Sequence, residues 1–157
     1  MVKEILLLGN TALYQTSEEV QKGEDLTELI QNLHDTLMDY RKKYHAGRAI
    51  AAPQIGVRKR VIYFYVDRAI TFINPVLTFP DDEKIEILDD CMSFPNLLVK
   101  VMRYKRCTIT YKTPEWKEEK MELEGDLSEL LQHEYDHLDG ILATMRVIDN
   151  RSFIFKK

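Results

Sequence analysis

The run His133-Glu134-Tyr135-Asp136-His137-Leu138-Asp139-Gly140 carries two imidazoles and a carboxylate at the spacing of one helical turn. At about 100° per residue, positions four apart lie roughly 40° apart around a helix and one turn along it. His133 and His137 can therefore bind one metal ion, with Glu134 beside them to handle protons. On a helical wheel that starts at Leu127, the side chains of Leu130, Leu131 and Leu138 share one apolar arc. Glu134 falls inside that arc and the two histidines lie at its edge. A carboxylate on the buried face of a helix is costly unless something pairs with it. A surface helix with two incidental histidines does not explain why Glu134 interrupts the leucines. Catalytic metals commonly take three protein ligands and a water, and no further His or Glu follows His137 at the spacing metallopeptidases use. Cys91, in Asp89-Asp90-Cys91-Met92-Ser93, is the remaining soft donor, although a lone cysteine is as often core as ligand. A Gly/Ala-rich turn spans Gly47–Gly56.

These groups need elements to hold them. Leu26, Leu29, Ile30, Leu33, Leu37, Tyr40 and Tyr44 recur at helical spacing and predict a helix from Asp25 to about Tyr44. Asp25 with Glu28 suggests a capping pair at its start, and Gly47 stands just past its end. His34 and His45 fall off the stripe and read as solvent-facing. From Arg60 the pattern changes to β runs over 61–66, 70–73, 85–88, 98–101, 107–111 and 119–123, separated by Pro- and Asp-rich turns. Residues 66–69 read as a tight hairpin connection. A second helix is expected after Gly125, with Asp126 and Glu129 at its cap, running through the histidines to Gly140. Helices set apart from a block of strands indicate an α+β architecture.

A chain of 157 residues reads as one domain able to bury a sizeable core. Its 45% apolar content is ordinary, and no apolar run approaches a membrane span. The patch Ile5–Leu8 is too short for a signal peptide and reads as a first strand or an extended packing segment. A net charge of −4 argues against sequence-specific nucleic-acid binding, while Arg41-Lys42-Lys43 and Arg58-Lys59-Arg60 leave room for a local basic contact with the ribosome. Cys91 and Cys107 read as free thiols in a reducing cytoplasm, with Cys107 a core residue of a strand.

Three ordered motifs make the resemblance specific. Gly47-Arg48-Ala49-Ile50-Ala51-Ala52-Pro53-Gln54, Asp89-Asp90-Cys91-Met92-Ser93 and Gln132-His133-Glu134-Tyr135-Asp136-His137-Leu138-Asp139-Gly140 resemble the G-x-G-x-A-A-x-Q, E-G-C-L-S and Q-H-E-x-D-H-L-x-G motifs of the peptide deformylases. Phe72-Ile73-Asn74-Pro75, Ser93-Phe94-Pro95 and the opening segment 9–20 extend the likeness over nearly the whole chain. The resemblance implies one catalytic domain over 1–157, with antiparallel β-sheets packed around a central C-terminal helix that carries HExxH, plus one long N-terminal helix. It implies metal ligation by Cys91, His133 and His137, typically of Fe2+, with Zn2+, Ni2+ or Co2+ as substitutes. Glu134 would be general base and then acid, and the Gln54 side chain and the Met92 backbone N–H would stabilise the oxyanion. The implied reaction removes the formyl group from formylmethionyl peptides or nascent chains and releases formate. Asp136 is expected to accept from a ligating imidazole or to pack the helix, and Arg103 to pair with an acid of the second motif.

The substrate-binding positions Gly47, Ala49, Asp90 and Glu129 include three departures from the family pattern. Ala49 replaces a glycine whose carbonyl contacts substrate, so its methyl is expected to crowd the approach. Asp90 replaces the glycine before the cysteine and Asp89 a glutamate; aspartate restricts the backbone there, though it tolerates the left-handed region better than most residues. Glu129 stands where the family carries an apolar residue facing the methionine pocket. With Asp90 it either adds negative charge near the metal or points to solvent. The departures imply an intact metal site with deformylase activity reduced or redirected, and keep two rivals open: a metal-keeping paralogue that only binds peptides, and an amidase for another N-acyl group. The tail after Met145 lacks the long basic helix of some family members, so ribosome docking by that route is not expected.

Overall fold

Strand β2 (Val61–Tyr65) is buried on both faces, and two helices supply the covers. Side chains alternate along a strand. Ile62 and Phe64 enter one core with Leu131 and Leu138 of helix α2 (Asp126–Leu138). Val61 and Tyr63 enter another with Leu33 and Leu37 of helix α1 (Thr27–Tyr44). The computed structural model describes residues 1–156. Its architecture is α+β, with two helices and antiparallel sheets. The larger sheet has the order β1-β2-β3-β6-β7, formed by Ala49–Ala51, β2, Ala69–Thr78, Arg106–Lys112 and Glu118–Glu124. The smaller sheet has the order β4-β5-β8, formed by Lys84–Asp89, Leu97–Tyr104 and Phe153–Phe155. Every named strand pairing is antiparallel. Helix α2 packs against strands of both sheets. No helix among the described residues is long and apolar enough to cross a membrane.

The six predicted β runs fall on strands, the first overrunning β2 by Val66, and Cys107 is a core residue with a free thiol. Strands β1 and β8 were not expected. Ala49–Ala51 carries little intrinsic β preference and is a strand because it pairs with Phe64, Tyr63 and Ile62. Residues 153–155, read only as tail, pair with Leu97–Val99. Ile5–Leu8 is an extended strap instead of a strand. Leu6 N–H donates to the Gln54 carbonyl at 2.8 Å and Leu8 N–H to that of Ser93 at 2.8 Å, so it bridges two motif segments.

The expected caps are replaced. Asp25 Oδ1 accepts from Thr27 N–H at 3.0 Å without a capping box, because the helix begins two residues later than predicted. His45, at φ 56°, takes the left-handed C-terminal position assigned to Gly47. No side chain caps α2 at Gly125, and the helix ends at Leu138. Leu127 is exposed, unlike the other leucines of its arc. His34 is half-buried, with Nδ1 2.7 Å from the Tyr63 hydroxyl, because β2 lies beside α1 there; His45 is exposed as expected.

Two backbone positions lock the long-range geometry. Asn74, at φ 49° beside the irregularity in β3, accepts from Val20 N–H at 2.8 Å and donates to the Val20 carbonyl at 2.9 Å. Asparagine tolerates this left-handed geometry because its short polar side chain bonds locally. Gly140, at φ 73°, lies where an added Cβ would stand 2.6 Å from the Tyr14 carbonyl carbon and 2.9 Å from the Gln15 nitrogen. Both atoms are backbone and cannot rotate away. Gly140→Ala is expected to destabilise the protein by about 1–3 kcal/mol from backbone strain, with the overlap adding to this. Urea denaturation of wild type and variant checks it, and an unchanged midpoint contradicts it.

Candidate active site

Helix α2 presents His133, Glu134 and His137 inward, and all three are buried. Cys91 follows the end of β4, where the chain leaves the smaller sheet and turns towards this helix. The donor atoms of Cys91, His133 and His137 lie within 4.8 Å of one another, and Cys91 Sγ is 3.3 Å from His137 Nε2. One thiol and two imidazoles in a buried group form a donor set that suits a transition-metal ion.

Asp89 orients the first imidazole. His133 Nδ1 lies 2.9 Å from Asp89 Oδ2, which turns Nε2 to the thiol side. The same carboxylate oxygen accepts from Arg103 at 2.9 Å, and Arg103 donates its other terminal nitrogen to Asp136 at 2.8 Å. Arg146 also pairs with Asp136. The expectation for Arg103 therefore holds. For Asp136 the packing alternative holds: it accepts from Arg103 and Arg146 and from neither imidazole, and Asp89 is the acceptor at His133. Burial alone would raise the Asp89 carboxyl, but His133 and Arg103 hold it below its ordinary value. Burial disfavours charge on His133, yet Asp89 and the Cys91 sulfur push its pKa well above the usual histidine value. The cluster thus draws in positive charge. Burial and the facing His133 hold His137 well below its ordinary value, as a neutral imidazole.

Glu134 is the outlier. Burial pushes its carboxyl up to about 7, and Oε1 is buried with no hydrogen-bond partner among the described residues. An unpartnered acceptor of this kind is costly unless a ligand or water completes it. Gln54, in a short turn after β1, has its amide orientation set by Ala51 N–H donating to Oε1 at 2.9 Å. Its Nε2 faces the Ser93 hydroxyl at 3.2 Å and the Cys91 sulfur at 3.6 Å. The amide N–H groups therefore point towards the ligand cluster.

A cavity of about 360 Å³ opens beside these groups, and its walls include Gly47, Ala49, Gln54, Asp90, Cys91, Met92, Glu129, His133 and Glu134. The cavity thus brings together every site residue expected from the sequence except His137, which lies deeper. Gly47 adopts φ 115°, and its carbonyl accepts from Arg41 Nε at 3.1 Å and Nη2 at 2.9 Å, which holds the loop against α1. Ala49 is buried in β1. Asp90 has no positive φ, so the lost glycine carries no strain, and its exposed carboxylate meets Lys156 at 3.2 Å. Glu129 behaves differently: it is half-buried in the cavity wall and paired with Arg48 at 3.2 Å. Arg48 had been only a spacer in the first motif. Nothing local marks it, because its partner is 81 residues away.

The family model described as polypeptide deformylase matches residues 2–152. Among curated relatives, peptide deformylase 1 of Prochlorococcus marinus is 37% identical over 168 residues, covering 98% of this chain and 85% of that protein. The peptide deformylase of Pseudothermotoga lettingae is 33% identical, covering 100% of this chain and 90% of the relative. Among solved structures, the peptide deformylase of Thermotoga maritima superposes with a TM-score of 0.87 at 28% identity, covering 95% of this chain and 99% of that one. The Synechococcus elongatus enzyme, solved in complex with actinonin, gives 0.87 at 26% identity, covering 96% and 81%.

Replacing Arg103 leaves Asp89 without its buried counter-charge. Arg103→Met is expected to cost about 3–5 kcal/mol, the usual consequence of removing one partner from a buried ionic group. Denaturation that shows a loss below about 1 kcal/mol would mean that the network contributes little.

Proposed function

The chain belongs to the polypeptide deformylase family, and on that premise we propose that its cavity removes the N-formyl group from N-terminal formylmethionine of nascent polypeptides. Water is consumed, the formyl C–N bond breaks, and formate and a free amine are released. The observation that carries this reading is the unpartnered, buried Glu134 carboxylate beside a Cys-His-His group.

Cys91, His133 and His137 would hold the metal, Fe2+ in the first place and Zn2+, Ni2+ or Co2+ as substitutes. When bound, the ion supplies Lewis acidity that polarises a carbonyl and lowers the pKa of water. Glu134 takes the proton of the attacking water on Oε1 and later delivers it to the departing amine nitrogen, a task matched by a pKa of about 7. Gln54 Nε2 and the Met92 backbone N–H donate to the oxygen that gains charge as the formyl carbon becomes tetrahedral. Asp89 keeps the His133 ring in place throughout. The reading takes 1–157 as one catalytic domain of the cytoplasm, in transient contact with the ribosome through exposed basic residues such as Lys42 and Arg58.

Formate release from a formyl-Met tripeptide, with protein loaded anaerobically with Fe2+, tests the reaction. Glu134→Gln should keep its metal and lose about 10²–10⁴-fold in kcat. Gln54→Ala should lose about 10²–10³-fold. Cys91→Ala should lose the metal itself, measured by elemental analysis. Full turnover by Glu134→Gln would remove the base from the scheme.

A further inference from the structure

The wall of the catalytic cavity holds a charged pair that the hydrolytic step does not use. Arg48 Nη2 donates to Glu129 Oε1 at 3.2 Å, joining the loop before β1 to the first turn of α2. Glu129 lies one helical turn before His133, on the face that bears the ligands. Both residues line the cavity that contains Cys91, His133 and Glu134. On the deformylase reading, a substrate whose amide reaches those groups lays its first side chain along this wall.

The pair is under-bonded. A carboxylate offers about four acceptor sites and a guanidinium five donors, and a single hydrogen bond joins the two here. Burial, followed by the nearby Asp89, raises the Glu129 carboxyl above its ordinary value despite Arg48. The wall also carries apolar surface from Tyr40, Ala46, Met92 and Leu130, suited to a methylene stem, among polar groups that include Gln54, Asp89 and Asp90. The stem thus has apolar surface to lie on, and its tip meets spare donors of Arg48 and spare acceptor positions of Glu129.

We propose that the Arg48–Glu129 pair sets the specificity of this cavity for the first side chain of the formylated peptide, favouring an unbranched chain with a hydrogen-bonding tip over an aliphatic one of equal length. The favoured class is typified by the glutamine carboxamide, which accepts from Arg48 while donating to Glu129. Norleucine typifies the disfavoured class, since it desolvates both charges and pairs neither. This assignment rests on the deformylase reading for the placement of the formyl amide.

The test uses formyl-Gln-Ala-Ser and formyl-norleucine-Ala-Ser with Ni2+-loaded protein. Wild type should show kcat/KM at least about tenfold higher for the glutamine peptide. Arg48→Leu combined with Glu129→Leu should reverse that order, while metal content and melting temperature stay close to wild type. The exchanged pair, Arg48→Glu with Glu129→Arg, should restore it even if the leucine variant folds poorly. The same peptides titrated into Ni2+-loaded Glu134→Gln give dissociation constants independent of turnover. A preference in binding without formate release would sink the deformylase reading and keep the specificity assignment. Formate release with a ratio that no pair variant changes would overturn the assignment alone. Equal binding of both peptides would overturn it as well.

Discussion

Arg103 sits between two buried carboxylates, and its charge has to be cancelled where it stands. Asp89 comes from the end of β4, Arg103 from β5 and Asp136 from α2, so the group closes only when the smaller sheet and the helix are docked. His133 joins through Asp89. A misregister of either partner would strand a charge in a poorly solvated place, which costs more than most lost contacts. Cys91, His133 and His137 inherit this precision. Cys91 is two residues beyond Asp89, and His133 is one helical turn before His137.

The larger sheet contributes through a different force. Its strands meet α2 through Ile62, Phe72, Ile109, Leu131 and Leu138, and their burial supplies the apolar stabilisation that holds the helix down. Helix α1 covers the opposite face and holds the Gly47 loop through Arg41. Gln54 then projects from the end of β1 towards the smaller sheet, and the strap at Leu6–Leu8 ties the two regions together. The cavity is the gap between an apolar assembly and an ionic one. Glu134 occupies that gap with Oε1 unpaired, at a cost to the stability of the folded protein.

Among the departures from the family pattern, position in space separates three residues that look alike on paper. Asp90 faces solvent and Lys156, away from strain. Ala49 is absorbed into a short strand and the core. Asp90 lies at the exposed side of the cavity wall, whereas Glu129 is largely buried there, and Arg48 is what makes that burial tolerable. The two acids thus differ in burial and partner: Asp90 meets Lys156 at the surface, and Glu129 meets Arg48 inside the wall.

What could be read without the fold was whatever depends on short spacing. The i,i+4 histidines, the acid between the leucines, the stripe of α1 and the six strand runs are local patterns, set by helix and strand periods. The three motifs in order also pointed to the family that the matched model and relatives show. The caps were misplaced because a helix terminus depends on where the preceding chain is anchored, here by Asn74 and the Gly140 contact. Strands β1 and β8 were missed because pairing, not composition, makes them strands. The helix offers Asp136 as an acceptor for an imidazole, but the acceptor of His133 lies 44 residues earlier, at Asp89. Only the tertiary structure decided that, as it decided the Arg48–Glu129 pair. A charge placed inside a protein selects its partner by distance in space, and sequence separation carries no information about that distance.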